Sequence, residues 1–209
     1  MAYQTMMNLA QEGDGKEVRL KANELIYRQG DVFKGLYLLC EGLVMSYRAP
    51  SPQATVGIYF HPLNSIIGVN SFQNEQYQYT AKALTDVKLL FFDKTMVQTY
   101  LQLSPGLKIL LLQELCKKIN QVESLWDKLQ HKKPEQKVAL LLQQIFSIVQ
   151  KHGHPYKVCS LPLQEFALVL AISQKSLEKI LQSFVHQEFI QLHGQQIILL
   201  HEESLQALQ

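Results

Sequence analysis

Arginine is almost missing from this chain: of 20 cationic residues only Arg19, Arg28 and Arg48 carry a guanidinium, and none follows Arg48. A guanidinium holds a phosphate or carboxylate through two parallel hydrogen bonds, so sites built on that fork are excluded from everything beyond residue 48. Cysteine is scarce as well. Cys40, Cys116 and Cys159 are far apart and odd in number, which leaves neither a disulfide framework nor a CxxC metal or redox motif. No apolar run of about 18 residues occurs, so no membrane span is expected. The opening stretch MAYQTMMNLAQEGDGKEVRL lacks the basic start and apolar centre of a secretory signal. These absences predict a cytoplasmic protein with reduced thiols and no membrane association. Catalytic signatures are missing too. There is no Ser/His/Asp, Cys/His or paired-carboxylate arrangement at telling spacing, no phosphate loop and no zinc ligand set. An enzyme, a metal centre and a bound cofactor are therefore not expected.

What the chain does have is a stretch from Leu161 to Leu181, LPLQEFALVLAISQKSLEKIL. Phe166, Val169 and Leu170 lie on one helical spacing and Leu177, Ile180 and Leu181 on another. Ala171-Ile172-Ser173 between them is long enough only for a tight turn, so the pattern predicts a helix-turn-helix. Ala167 supplies the small residue a steep helix crossing needs. Ser173 is placed to N-cap the second helix, which would present Gln174, Lys175, Ser176 and Lys179 outward. An ordinary helical hairpin has the same spacing. The next segment decides between the two: Phe189–Leu192 and Gln196–Leu199 flank His193-Gly194-Gln195 and read as a β-hairpin. A helix-turn-helix followed by such a hairpin is a winged helix, and its outward positions are those that enter a DNA major groove.

Upstream, from Leu20 to about Phe92, short apolar runs alternate with Gly, Pro or Asn punctuation and predict a small β-barrel or jelly roll. Residues 1 to about 18 read as a loose lead-in or a short helix, and 49–53 as a Pro/Ser turn. After Phe92 the pattern becomes helical. Asp93 can cap a short helix, and Ser104-Pro105 opens a long one. In that long helix Leu112, Leu115, Ile119, Val122, Trp126 and Leu129 form a heptad seam. Leu110, Leu111 and Leu125 lie off the seam and are free to pack on the barrel, so the seam itself predicts a homodimer. His131-Lys132-Lys133-Pro134 interrupts the helix, because the residue before proline is pushed out of helical geometry. A further helix from Pro134 to Gln150, a loop at 151–155 and a short strand at 158–160 lead into the helix-turn-helix. The fold class is thus α+β. It comprises a β-roll over 1–103, a dimerisation helix over 104–131 and a winged-helix domain over 132–209.

Gly30-Asp31, Leu36-Tyr37, Glu41-Gly42, Gly68 and Ala81-Lys82-Ala83, together with the long helix, the hinge, Gln164-Glu165, Ser173 and Gly194, resemble the Crp/Fnr family of bacterial transcription regulators from Leu20 to Leu208. The resemblance implies a double-stranded β-helix sensing an effector and a dimer that reads double-stranded DNA at a two-fold symmetric operator. It also implies a partner in RNA polymerase. Gln164, Ser173, Gln174, Lys175, Ser176 and Lys179 become the DNA-binding residues, and Gly68, Val69, Asn70, Ser71, Tyr77 and Gln78 the effector pocket.

Cyclic-nucleotide-binding relatives use a Gly-Glu pair and an Arg-Ser pair there. In this chain Gly68 is followed by Val69, and the Arg-Ser positions fall near Tyr77-Gln78, so a small effector other than cyclic AMP is expected. The iron–sulfur branch carries cysteines near its N-terminus, and residues 1–39 have none. Haem would need His61 or Cys40, and His61 beside Pro62 reads as a surface loop residue. The recognition positions carry Gln and Lys where the family has Arg-Glu and Arg. From Pro134 onward five lysines and six acids sum to −1, little basic footprint for a DNA reader.

Overall fold

Short runs of β-branched and aromatic residues between glycine turns do become strands in the computed structural model, which describes residues 15–48, 57–151, 158–160 and 162–208. The expected turn at 49–53, residues 55–56 of the next strand, the loop at 152–155 and Leu161 lie outside the described residues, as does the lead-in up to residue 14. Among the described residues eight strands build the N-terminal part: β1 (Lys16–Leu20), β2 (Leu25–Tyr27), β3 (Gly35–Glu41), β4 (Val44–Arg48), β5 (Gly57–His61), β6 (Ile66–Ile67), β7 (Thr80–Ala83) and β8 (Val87–Asp93). They form two four-stranded sheets in the orders β1-β8-β3-β6 and β2-β7-β4-β5. Leu36, Leu38, Leu89 and Phe92 of one sheet share a core with Tyr27, Val44, Ala81 and Ala83 of the other. That is a β-roll, closed on its apolar interior.

One strand differs from the expectation. Lys16–Leu20, read as a lead-in, is β1, paired antiparallel with β8 from Lys16 opposite Phe91 to Leu20 opposite Val87. Five residues carry too little alternation to announce a strand by themselves. The pairing comes from β8, against whose sheet Val18 and Leu20 pack.

The helices follow in order: α1 (Lys94–Leu103), α2 (Pro105–Leu129), α3 (Pro134–Lys151), α4 (Leu163–Val169), α5 (Gln174–His186) and α6 (Glu202–Gln206). Asp93 caps α1, its Oδ1 accepting from the Met96 N–H at 2.9 Å. The start of α2 packs Leu107 and Leu111 into the roll core, and α2 ends where His131 adopts φ +61°, before Pro134.

The chain divides into two compact units, one holding the roll with Tyr59–Val122, the other holding Glu123–Gln209. In the second, β9 (Val158–Ser160), β10 (Ile190–His193) and β11 (Gln196–Leu199) form a sheet in the order β10-β11-β9. Gly194, at φ +60°, turns the hairpin between β10 and β11. Val138, Leu142, Ile145, Phe146, Phe166, Leu181, Phe184 and Ile197 are buried there. Ile148, expected inward on α3, is only half-buried, and Val149 beside it is buried instead.

Candidate effector site and nucleic-acid interface

The turn after β6 gathers the residues predicted for an effector pocket. Gly68, at φ +94°, N-caps a single 3₁₀ turn over Val69–Ser71. A side chain at that φ would be strained. Ser71 is fully buried, and its Oγ accepts the Gln78 backbone N–H at 2.9 Å. Tyr77 is buried beside Gly68. Its hydroxyl donates to the Gly35 carbonyl at 2.9 Å, and its ring stacks on Tyr27 at 3.7 Å and 9°. Gly30-Asp31 clamps the same residue, since the Gly30 N–H donates to the Tyr77 carbonyl and the Tyr77 N–H to the Asp31 carbonyl. Asn70 is half-buried at the rim. The six predicted residues therefore adjoin one another, with Ser71, Gln78 and Tyr77 already committed to hydrogen bonds within the protein. Burial raises the Tyr77 and Tyr27 hydroxyls well above the ordinary phenol range, so both are neutral.

A second polar cluster lies between the roll and α2, and sequence reasoning missed it. His61 is no surface loop residue. It closes β5 with 1% of its surface exposed, because strand pairing carries it inward and Pro62 begins only afterwards. Its Nε2 and the Ser46 Oγ are 2.7 Å apart, while its Nδ1 has no partner. Burial first, then the nearby Lys118 charge, hold the imidazole well below its ordinary range, so it is neutral. Lys118 donates from Nζ to the Ile66 carbonyl at 2.9 Å and lies 5.3 Å from the Tyr59 ring centroid. Burial pushes its ammonium down to about 8, with Glu114 opposing the shift. Glu114 is buried too and takes the Lys117 ammonium at 2.8 Å. The signal was present in the sequence: Leu107, Leu111, Glu114, Lys118 and Leu125 share one helical face, but two charges on it masked that face.

The predicted seam lies only in part on a different face of α2, because Leu115 packs against the roll core. Leu112, Ile119 and Trp126 expose 60%, 56% and 45% of their surface, seven residues apart each time, and Leu115, Val122 and Leu129 are half-buried between them.

In the winged-helix unit, α4 and α5 meet through a turn in which Ala171 takes φ +53°. The Ser173 Oγ accepts the Ser176 N–H at 3.0 Å, and the two hydroxyls are 2.8 Å apart. Ser173 and Ser176 are thus spent on the cap. Gln174 donates from Nε2 to Glu178 Oε1 at 2.8 Å, so its amide faces an acid one turn on rather than open solvent. Lys175 and Lys179 are exposed on α5, and Gln164 is exposed on α4.

Roll, long helix and winged helix in this order have known counterparts. The cyclic nucleotide-binding domain family matches residues 17–104. Over 191 residues the chain is 20% identical to the transcriptional activator protein FnrA of Stutzerimonas stutzeri, covering 90% of this chain and 78% of that one. A putative Crp/Fnr-family transcriptional regulator of Eubacterium rectale superposes with a TM-score of 0.73 at 18% identity, over 100% of this chain and 99% of the other. A CRP-family transcriptional regulator from Thermus thermophilus gives 0.72 at 19%, over 91% and 95%. The chain shares the fold of these regulators. These relatives are named as transcription activators or regulators. In this roll Gly68 is followed by Val69, and no arginine lies beyond Arg48. Among the described residues its one buried cation is Lys118, whose ammonium is on a backbone carbonyl. Among the described residues no helix is long and apolar enough to cross a membrane.

Proposed function

We propose that this chain is a cytoplasmic, dimeric, sequence-specific DNA-binding transcription regulator whose β-roll senses a small effector other than cyclic AMP. The observation that carries the reading is α5: a capped helix with Lys175 and Lys179 exposed, beside a β-hairpin wing, on the scaffold of transcription regulators. Residues 1–103 form the sensing roll, 104–131 the dimer helix and 132–209 the DNA reader. Two α5 helices related by the dimer axis meet successive major grooves of double-stranded DNA about one turn apart. Lys175 and Lys179 reach phosphate or guanine, and Gln164 and Gln174 contact adenine edges once Gln174 leaves Glu178. RNA polymerase is the partner for activation.

The lack of a guanidinium beyond Arg48 argues against cyclic AMP. A cyclic phosphate at the Gly68 turn would lie buried without a guanidinium, uncompensated at a cost of several kcal/mol. Leu112, Leu115, Ile119, Val122, Trp126 and Leu129 pair with their counterparts, each large apolar side chain contributing about 1.5–3 kcal/mol when covered.

One alternative has its own support: a protein-interaction module on the same scaffold that does not read DNA. The sum of −1 beyond Pro134 and the Gln174–Glu178 bond favour it. A genomic-fragment retention assay at low salt, with cell extract supplying the effector, separates the two. Retention of discrete fragments supports the regulator; no retained DNA supports the module.

A further inference from the structure

The helix that carries the seam is tied to the roll at one buried polar point. Lys118 bonds the carbonyl of Ile66 in β6, and from Ile66 the backbone runs straight into the Gly68 turn, which the Ser71 N–H closes on the Gly68 carbonyl at 2.9 Å. On α2 the same residue stands between the seam positions Leu115 and Ile119. A second line reaches it from the pocket side. Tyr77 stacks on Tyr27, Ser46 lies close enough to the Tyr27 hydroxyl to act on its acidity, and Ser46 meets His61 at 2.7 Å. His61 lies within reach of the Lys118 charge. The charged and titratable groups facing Lys118 are Glu114 from α2 and Tyr59 and His61 from β5.

The neighbouring contacts of α2 with the roll, through Leu107 and Leu111, are apolar and non-directional, so they tolerate a small slide. A buried ammonium on a carbonyl does not, because a broken bond leaves a desolvated charge without its acceptor. His61 Nδ1 and Ser65 Oγ, both buried without a partner, leave spare hydrogen-bonding capacity in His61 and in Ser65, the residue before Ile66.

We infer that Lys118 is the positioning residue that couples the Gly68 turn to the α2 seam, so that displacement of the Ile66 carbonyl moves the helix face bearing Leu115 and Ile119. This rests on the roll being the sensor and α2 the dimer helix. An effector at Gly68–Ser71 then acts on dimer geometry through one bond, and discharge of Lys118, which leaves a neutral amine as a weaker donor to the same carbonyl, loosens that bond.

The proton supplies a probe that needs no effector. Trp126, the chain's single tryptophan, lies on the same helix, and its emission is followed from neutral to alkaline pH. Wild type shows a transition with its midpoint near 8. Lys118→Arg, which keeps donor and charge throughout this range, holds the neutral-pH emission to the alkaline end. Lys118→Met holds the alkaline emission at every pH, and Glu114→Gln moves the midpoint down because Glu114 favours the ammonium. Amide exchange over residues 66–71 is several-fold faster in Lys118→Met than in Lys118→Arg. A flat wild-type profile, a transition that survives in Lys118→Arg, or equal exchange in the two variants overturns the coupling. Sedimentation velocity reads the dimer separately: a monomeric wild type overturns the dimer reading, and the coupling with it, while the exchange difference still reports the tie itself.

Discussion

Single side chains divide here into those whose role is local and those whose role is set at a distance. Ser173 is local. Its hydroxyl takes the Ser176 N–H, and Ser173→Ala is expected to destabilise the winged-helix unit by about 1 kcal/mol; an unchanged chemical-denaturation midpoint would contradict the cap. Position within a spacing was enough to read that residue from the sequence. Lys118 is the opposite case, because its acceptor Ile66 lies 52 positions away and nothing local announces it. His61 was hidden for the same reason, since strand pairing buries it.

Burial depresses the Lys118 ammonium from 10.5 to about 8. The favourable, neutral form is therefore fully available above 10.5 and is lost as pH falls through 8. The stability of wild type relative to Lys118→Met is expected to rise between those values by on the order of 3 kcal/mol. Thermal melts of both proteins along that range check it, and a constant difference contradicts the assigned burial.

At the scale of elements, α2 has one apolar side in the roll core and another exposed, where the dimer is proposed. Leu107 and Leu111 enter the roll core, while Leu112, Ile119 and Trp126 stay exposed. The heptad spacing made the second face legible; of the off-seam leucines Leu110, Leu111 and Leu125, Leu111 belongs to the roll core and the other two do not. Replacing Ile119 by Asp puts a charge at the centre of the seam and is expected to convert the dimer to monomer in sedimentation velocity with the roll intact. A variant that sediments like wild type would remove the seam from the interface. β1 was not legible because its pairing partner, not its own five residues, decides it. The winged helix was legible because cap, turn and Gly194 hairpin each specify the same local geometry.

Across the whole molecule, charge location outweighs the sum. Beyond Pro134 the balance is −1, yet α5 presents Lys175 and Lys179 together and commits its acid, Glu178, to Gln174. On the proposed function such a surface is expected to bind DNA modestly and to lose affinity with salt as counterions are released. What the sequence could not disclose is how the roll's polar interior is wired, since Tyr27, Ser46, His61 and Lys118 come from distant parts of the chain.

The measurement that tests the central claim most directly is a salt-dependent anisotropy titration on the duplex upstream of the protein's own coding sequence. Wild type is compared with the double variant Lys175→Ala, Lys179→Ala. The account predicts saturable binding by wild type and a marked loss in the variant, with a log–log salt slope shallower by roughly three to four for a dimer that gives up two phosphate contacts per subunit. Equal affinity and equal slope in the two proteins would contradict it, and α5 would not be the element that meets DNA.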